Sequence, residues 1–107
     1  MARRHFVISY DIADDKRRTK VFRILNDYGD HAQYSVFFCE LSIKELATLR
    51  AYFAEIIKPT EDQIMILDLG IAEQELLNRL DCIGKRYEPP ARVIVIWNAV
   101  AIDYSLR

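Results

Sequence analysis

The stretch HFVISYD, His5 to Asp11, sets Phe6, Ile8 and Tyr10 in alternation with Val7, Ser9 and Asp11. A period of two built from aromatic and β-branched residues specifies a strand. Both faces are largely apolar at its start, which predicts a central strand rather than an edge. The strand ends on a carboxylate, and the bases Lys16, Arg17, Arg18, Lys20 and Arg23 follow at once on a helical pattern. In an open α/β sheet, ligands gather beyond the carboxyl ends of the strands. Asp11 stands there and is the leading candidate site residue. Its carboxylate suits three roles: metal ligand, general base, or structural acceptor capping the next turn.

Working outward, Ile12-Ala13-Asp14-Asp15 leaves the strand, with Asp14 as N-cap and Asp15 as an acidic first-turn residue. The helix is expected to run to about Tyr28 and stop at Gly29. Val21, Phe22, Leu25 and Tyr28 form its apolar stripe, with Ile24 at the margin. At about 100° per residue, Lys16, Lys20 and Arg23 point to solvent. Arg18 falls on the side of Phe22 and Leu25, one turn earlier, close to where the strand delivers Asp11.

The run HAQYSVFFCEL, His31 to Leu41, is rich in strand formers but long for one strand, so two short strands kinked near Ser35 are expected. Ser42-x-x-Glu45 is a capping box opening a second helix, with Leu46, Leu49, Phe53, Ile56 and Ile57 inward and Lys58-Pro59 as its stop. Asp62 to Leu69 reads as a strand, Ala72 to Asp81 as a short helix or ordered loop, Lys85 to Ala91 as a loop, and Arg92 to Trp97 as a last strand. The order is that of a ferredoxin-like β-α-β-β-α-β sandwich, α+β in class, with an additional C-terminal strand. Residues 1–97 are expected to form this single domain and residues 98–107 a tail. Two helices on one face leave the other face of the sheet bare, which predicts a homodimer that covers it.

With 107 residues the chain suits one domain of modest core. No apolar run approaches the roughly 20 residues of a membrane span, and the N-terminus enters a strand without signal-peptide character. Cys39 and Cys82 are expected to be buried thiols in a cytoplasmic protein, not a disulfide or metal pair. The formal net charge of −1 hides an asymmetry: residues 1–23 carry seven Lys/Arg against three Asp, the remainder eight against thirteen Asp/Glu. A polyanion can therefore meet a local positive face, although a solvated helix accounts for the same charges. His5 and His31 stand at no zinc spacing, and His5 is expected at the surface of a strand end. Ser35 lacks a nucleophile elbow, and neither a P-loop nor a dinucleotide glycine fingerprint is present.

Tyr10-Asp11-Ile12, then Asp14-Asp15-x-x-Arg18, then Gln33-x-Ser35-Val36-Phe37 after Gly29, resemble the CRISPR-associated protein 2 family over about residues 5–70. The resemblance implies a ferredoxin-like homodimer whose C-terminal strand adds to the partner's sheet. It implies a metal-dependent endonuclease of RNA or duplex DNA, with paired aspartates holding Mg²⁺ (or Mn²⁺) at the dimer interface. That assignment falls on Asp11, as metal ligand and catalytic residue. Tyr10, Arg18 and Phe37 occupy other positions associated with activity, while Lys16, Arg17, Lys20 and Arg23 are candidates for the nucleic-acid backbone. The resemblance also implies a role in acquiring new spacers, the dimer bridging the CRISPR integrase and lying along DNA. A DNA-binding scaffold without nuclease activity and a toxin-like endoribonuclease of the same fold are the alternatives. Where some members carry arginine before the QxSVF segment, this chain has His31, a poorer phosphate clamp when neutral.

Overall fold

The structure is a computed structural model that describes residues 2–89, 91–97 and 100–106, the last two segments by their backbone. Strand β1 (Arg3–Asp11) is central, lying between β3 (Val36–Ser42) and β4 (Gln63–Ile71), and β2 (Gly29–Gln33) closes the far edge. Neighbours in the order β2-β3-β1-β4 are all antiparallel. Helix α1 (Asp15–Tyr28) carries the chain from β1 past β3 to β2, and α2 (Ile43–Ile56) carries it from β3 past β1 to β4. This interleaving of two β-α-β units is the ferredoxin-like α+β sandwich.

Alternation along the strands sorts the two faces. Phe6 and Ile8 of β1, with Phe37, Cys39 and Leu41 of β3, are buried under Val21 and Leu25 of α1 and Leu49 and Phe53 of α2. Leu46, Ile56 and Ile57 pack at the margin of this core. Asp14 caps α1 by accepting from the Arg17 N–H, and Ser42 and Glu45 complete the capping box of α2. Gly29 ends α1 for a reason other than left-handed backbone. Its φ of −160° is extended, and a Cβ there would lie 2.4 Å from Cys39 Sγ and 2.5 Å from the Phe38 carbonyl oxygen. Helix α1 runs straight into β2, and only glycine lets the two segments meet so closely.

The opposite face of the sheet departs from expectation in part. After β4 the chain makes a 3₁₀ turn (Leu76–Arg79) and crosses toward β3, where the Tyr87 ring meets Phe38 edge-on at 5.5 Å. His5, expected at the surface, is buried, and its Nε2 donates to the Gln74 carbonyl at 2.8 Å. Part of the face is thus covered by the chain itself. Met65 and Leu67 remain 57% and 59% exposed. They sit in register with Ser9 and Val7 of β1, which face Val36 and Phe38 of β3.

Two further expectations are corrected. Cys39 is buried, but Cys82 is an exposed thiol on the segment that leaves the core. The C-terminal residues are a strand rather than a tail: β5 (Ala91–Trp97) pairs antiparallel with β6 (Val100–Leu106) in a separate two-stranded sheet. Their pairing runs from Ala91 opposite Leu106 to Trp97 opposite Val100. Asn98, Ala99 and Arg107 of the expected tail lie outside the described residues. Among the described residues no helix is long and apolar enough to cross a membrane.

Candidate functional site

Asp11 is the last residue of the central strand, is exposed, and points to the face opposite the helices, as Val7 and Ser9 do. Its carboxylate makes no ion pair or side-chain hydrogen bond among the described residues. The other acids nearby are engaged. Asp14 holds the Arg17 N–H at 3.0 Å, and that hydrogen bond keeps its carboxyl below the usual carboxylate range. Asp15 is ion-paired to Arg18.

Arg18 turns back over the start of its helix and donates to the Ile12 carbonyl at 2.9 Å, with 45% of its side chain still exposed. Its charge reaches Tyr10, which points to the helix side of the sheet and packs against the core. Burial raises the Tyr10 phenol above its ordinary value, with Arg18 opposing, so the hydroxyl stays protonated at neutral pH. Tyr10 meets the Phe37 ring edge-on at 6.4 Å. Phe37 itself is wholly buried, touching Phe22 at 5.6 Å and His31 at 4.9 Å between ring centroids. The structure therefore brings Asp11, Tyr10 and Arg18 to one end of β1, and sets Phe37 behind them as packing that no ligand can touch.

The basic residues divide as well. Lys16, Lys20 and Arg23 are exposed along α1. Arg17 is not part of that stripe. Its Nε and one terminal nitrogen bond Asp62 at 2.7 and 3.2 Å, and Glu61 lies 3.6 Å away. Of the four bases assigned to a nucleic-acid backbone, this one holds the fold instead.

Asp62 is the residue that the sequence concealed. Its side chain is inaccessible and also accepts from Ala13 N at 3.1 Å and Lys58 N at 2.8 Å. The Arg17 hydrogen bond, aided by the two backbone donors and opposed by burial, holds its carboxyl far below the ordinary value. It ties the loop after Asp11 to the connection between α2 and β4, and so positions that end of the site. Its signal was the second acid of Glu61-Asp62, standing at the head of an apolar strand shortly after Lys58-Pro59.

No group of three or more His, Cys, Asp or Glu side chains converges among the described residues in a way that would hold a metal ion. Mg²⁺ is held by one or two carboxylates together with several waters. The donor set of one chain is one free carboxylate, which fits such an ion only when a second copy supplies another.

A sequence model of the family described as CRISPR associated protein Cas2 matches residues 4–75. The chain belongs to the Cas2 family. It is 35% identical over 91 residues to the CRISPR-associated endoribonuclease Cas2 of Geobacter sulfurreducens, covering 85% of this chain and 95% of that protein. A crystal structure of a hypothetical protein from Thermus thermophilus superposes with a TM-score of 0.68 at 31% identity, over 81% of this chain and 98% of that one. The crystal structure of Streptococcus pyogenes Cas2 at pH 6.5 gives a TM-score of 0.64 at 26% identity, over 75% and 99%. The family match ends where the segment after β4 begins to cross the sheet. The family-model match therefore spans the sandwich and the β1 end that carries Asp11, Tyr10 and Arg18.

Proposed function

We propose that this protein is a CRISPR adaptation factor that works as a homodimer, binds nucleic acid along α1, and carries a Mg²⁺-dependent phosphodiesterase site formed by Asp11 from each copy. The observation that carries the proposal is Asp11 itself: an exposed, unpaired carboxylate at the end of the central strand, on the sheet face that a second copy would cover. A twofold axis through that face brings the same residue from both sides. Two facing carboxylates repel unless a cation joins them, which is the electrostatic basis for a metal there. A Mg²⁺ ion (or Mn²⁺), once bound, would polarise a phosphate oxygen and make a coordinated water more acidic.

The chain's own residues supply the remainder. Arg18, anchored by Ile12 O and Asp15, presents a fixed guanidinium to an anionic phosphate. Tyr10, protonated at neutral pH, is a hydrogen-bond donor beside it. Lys16, Lys20 and Arg23 attract the sugar–phosphate backbone whatever its sequence. In adaptation the dimer bridges the CRISPR integrase and lies along incoming DNA in the cytoplasm.

One observation favours a second reading, a scaffold that binds DNA without cutting it. His31 stands where some relatives have arginine, and its Nε2 donates to the Tyr34 carbonyl while its ring packs on Phe22 and Phe37. It is engaged in the fold and contributes no free phosphate donor from that nitrogen. The deciding experiment incubates purified protein with DNA and RNA, in Mg²⁺ or EDTA, beside Asp11→Asn. A nuclease loses cleavage by orders of magnitude in Asp11→Asn and in EDTA while binding persists. Absence of cleavage by the wild type, with binding to DNA and integrase intact, selects the scaffold. Cleavage surviving in Asp11→Asn removes Asp11 from the reaction.

A further inference from the structure

We infer that Gln63 is a neutral oxygen ligand for the divalent cation at Asp11, supplied by the neighbouring strand; this rests on the Mg²⁺ reading above. Gln63 opens β4, and the register of the sheet sets it opposite Asp11. Opposed residues of an antiparallel pair share a face, with Cβ atoms about 5 Å apart. Both residues are exposed, and no hydrogen bond or ion pair among the described residues takes up either side chain.

The open face changes character along these two strands. Its rows run Val7 opposite Leu67, Ser9 opposite Met65, and Asp11 opposite Gln63. Leu67 and Met65 give the first two rows an exposed apolar surface, and the last row sets a carboxylate beside a carboxamide. Ile64 and Ile66 alternate with Gln63 and Met65 and pack against the core on the helix side. A twofold axis that joins the two Asp11 side chains therefore brings both Gln63 side chains with them.

The backbone just beyond this row is stapled. Asp62, the residue before Gln63, accepts from the N–H of Ala13, two residues past Asp11, at 3.1 Å. Its other oxygen accepts from Arg17 Nε at 2.7 Å and from Lys58 N at 2.8 Å. Strands β1 and β4 cannot slip at this end without breaking that buried clamp, so the pair keeps its register before an ion arrives. Ligands held in place this way are preorganised for binding.

The donor chemistry suits a hard cation, for which carboxylate, carbonyl and water oxygens are the usual ligands. Two Asp11 carboxylates already match a doubly charged ion, and a further acid would add repulsion whenever the ion is absent. A carboxamide carbonyl adds an oxygen with no net charge.

The test titrates Mn²⁺ into the metal-free protein without nucleic acid, following the free ion by its paramagnetic resonance, so that cleavage does not enter. The variants are Gln63→Ala, Gln63→Glu and Asp11→Asn, each checked by sedimentation at the same concentration. Gln63→Ala should weaken Mn²⁺ binding about 10- to 100-fold, the usual cost of removing a residue that supports a bound metal. Gln63→Glu should bind Mn²⁺ at least as tightly as the wild type, because an oxygen stays in place and gains charge. Asp11→Asn should weaken Mn²⁺ at least as much as Gln63→Ala does. If Gln63→Ala sediments as a monomer, Gln63→Glu decides: binding as tight as the wild type or tighter supports the inference, and weaker binding overturns it. Unchanged affinity in Gln63→Ala, or an equal loss in Gln63→Ala and Gln63→Glu, overturns the inference and leaves the Asp11 site standing. A wild type that binds no Mn²⁺, or an Asp11→Asn that binds it unchanged, overturns both.

Discussion

Leu67 offers a direct measurement of whether a second copy covers the open sheet face. Its side chain is 59% exposed, in register with Val7 on the central strand, and Met65 beside it is 57% exposed. Burying a whole leucine side chain contributes roughly 1.5–3 kcal/mol, so the exposed fraction of Leu67 is worth about 1–2 kcal/mol when covered. In a twofold interface the residue occurs twice, giving about 2–3.5 kcal/mol per dimer. At 1.4 kcal/mol per tenfold, losing that contribution raises the dimer Kd by about 20- to 300-fold. Leu67→Asp should reach at least this, since it also places an unpaired charge in an apolar contact. Sedimentation equilibrium over a hundredfold range of concentration reads the shift directly. Ile43→Asp is the control, because Ile43 is a largely exposed apolar residue at the start of α2, on the helix side of the sheet. A dimer Kd unmoved by Leu67→Asp, or moved equally by Ile43→Asp, refutes an interface on this face. The Asp11 pair would then have no way to form.

Three further outcomes test the fold and the basic stripe. Asp62→Asn should lower stability at neutral pH. Because the folded carboxyl titrates below its unfolded value near 4, its contribution is present above that pH and disappears as the pH falls beneath it. Urea midpoints from pH 3 to 7 should therefore show the wild type and Asp62→Asn converging in acid; a gap that widens there contradicts the assignment. Gly29→Ala must push Cβ against Cys39 Sγ and the Phe38 carbonyl, and should cost about 1–3 kcal/mol by chemical denaturation; a neutral effect would mean that the α1–β2 junction relaxes. Replacing Lys16, Lys20 and Arg23 together with Gln should flatten the salt dependence of duplex binding by about 0.9 in slope for each charge that meets a phosphate. An unchanged slope places the nucleic acid elsewhere.

The sandwich was legible because its elements are specified locally. HFVISYD carries a period of two, the α1 stripe a helical period, and Ser42 with Glu45 a capping box closed within four residues. The break near Ser35 and the central place of β1 followed from the same patterns, although the break is a hairpin turn between antiparallel strands and not a kink. What escaped depends on partners far along the chain. His5 looked like a strand-end residue because its acceptor, the Gln74 carbonyl, lies 69 positions on. Arg17 looked like one more base on a solvated helix because Asp62 is 45 positions away. The sequence between Trp97 and Val100 holds no Asn-Gly or Gly-Gly to announce a second strand, so β6 read as a tail.

The same contrast explains which parts of the site could be read. The exposed place of Asp11 was legible from position alone, since the end of a central strand opens to solvent whatever the distant chain does. Tyr10 directly precedes it and Arg18 lies in the first turn of the helix that follows, so their place at this end of β1 is also a local consequence. Phe37 was chosen by resemblance and lies sealed in the core, where its ring meets Tyr10, Phe22 and His31. Any effect of altering it passes through the packing of those rings. His31 in turn holds the Tyr34 carbonyl, so a change at Phe37 reaches the β2–β3 turn through one hydrogen bond. The aromatic stack and the Asp62 clamp thus grip the β1 end from its two sides, and Asp11 is left between them as the one acid there whose charge no neighbour has taken up.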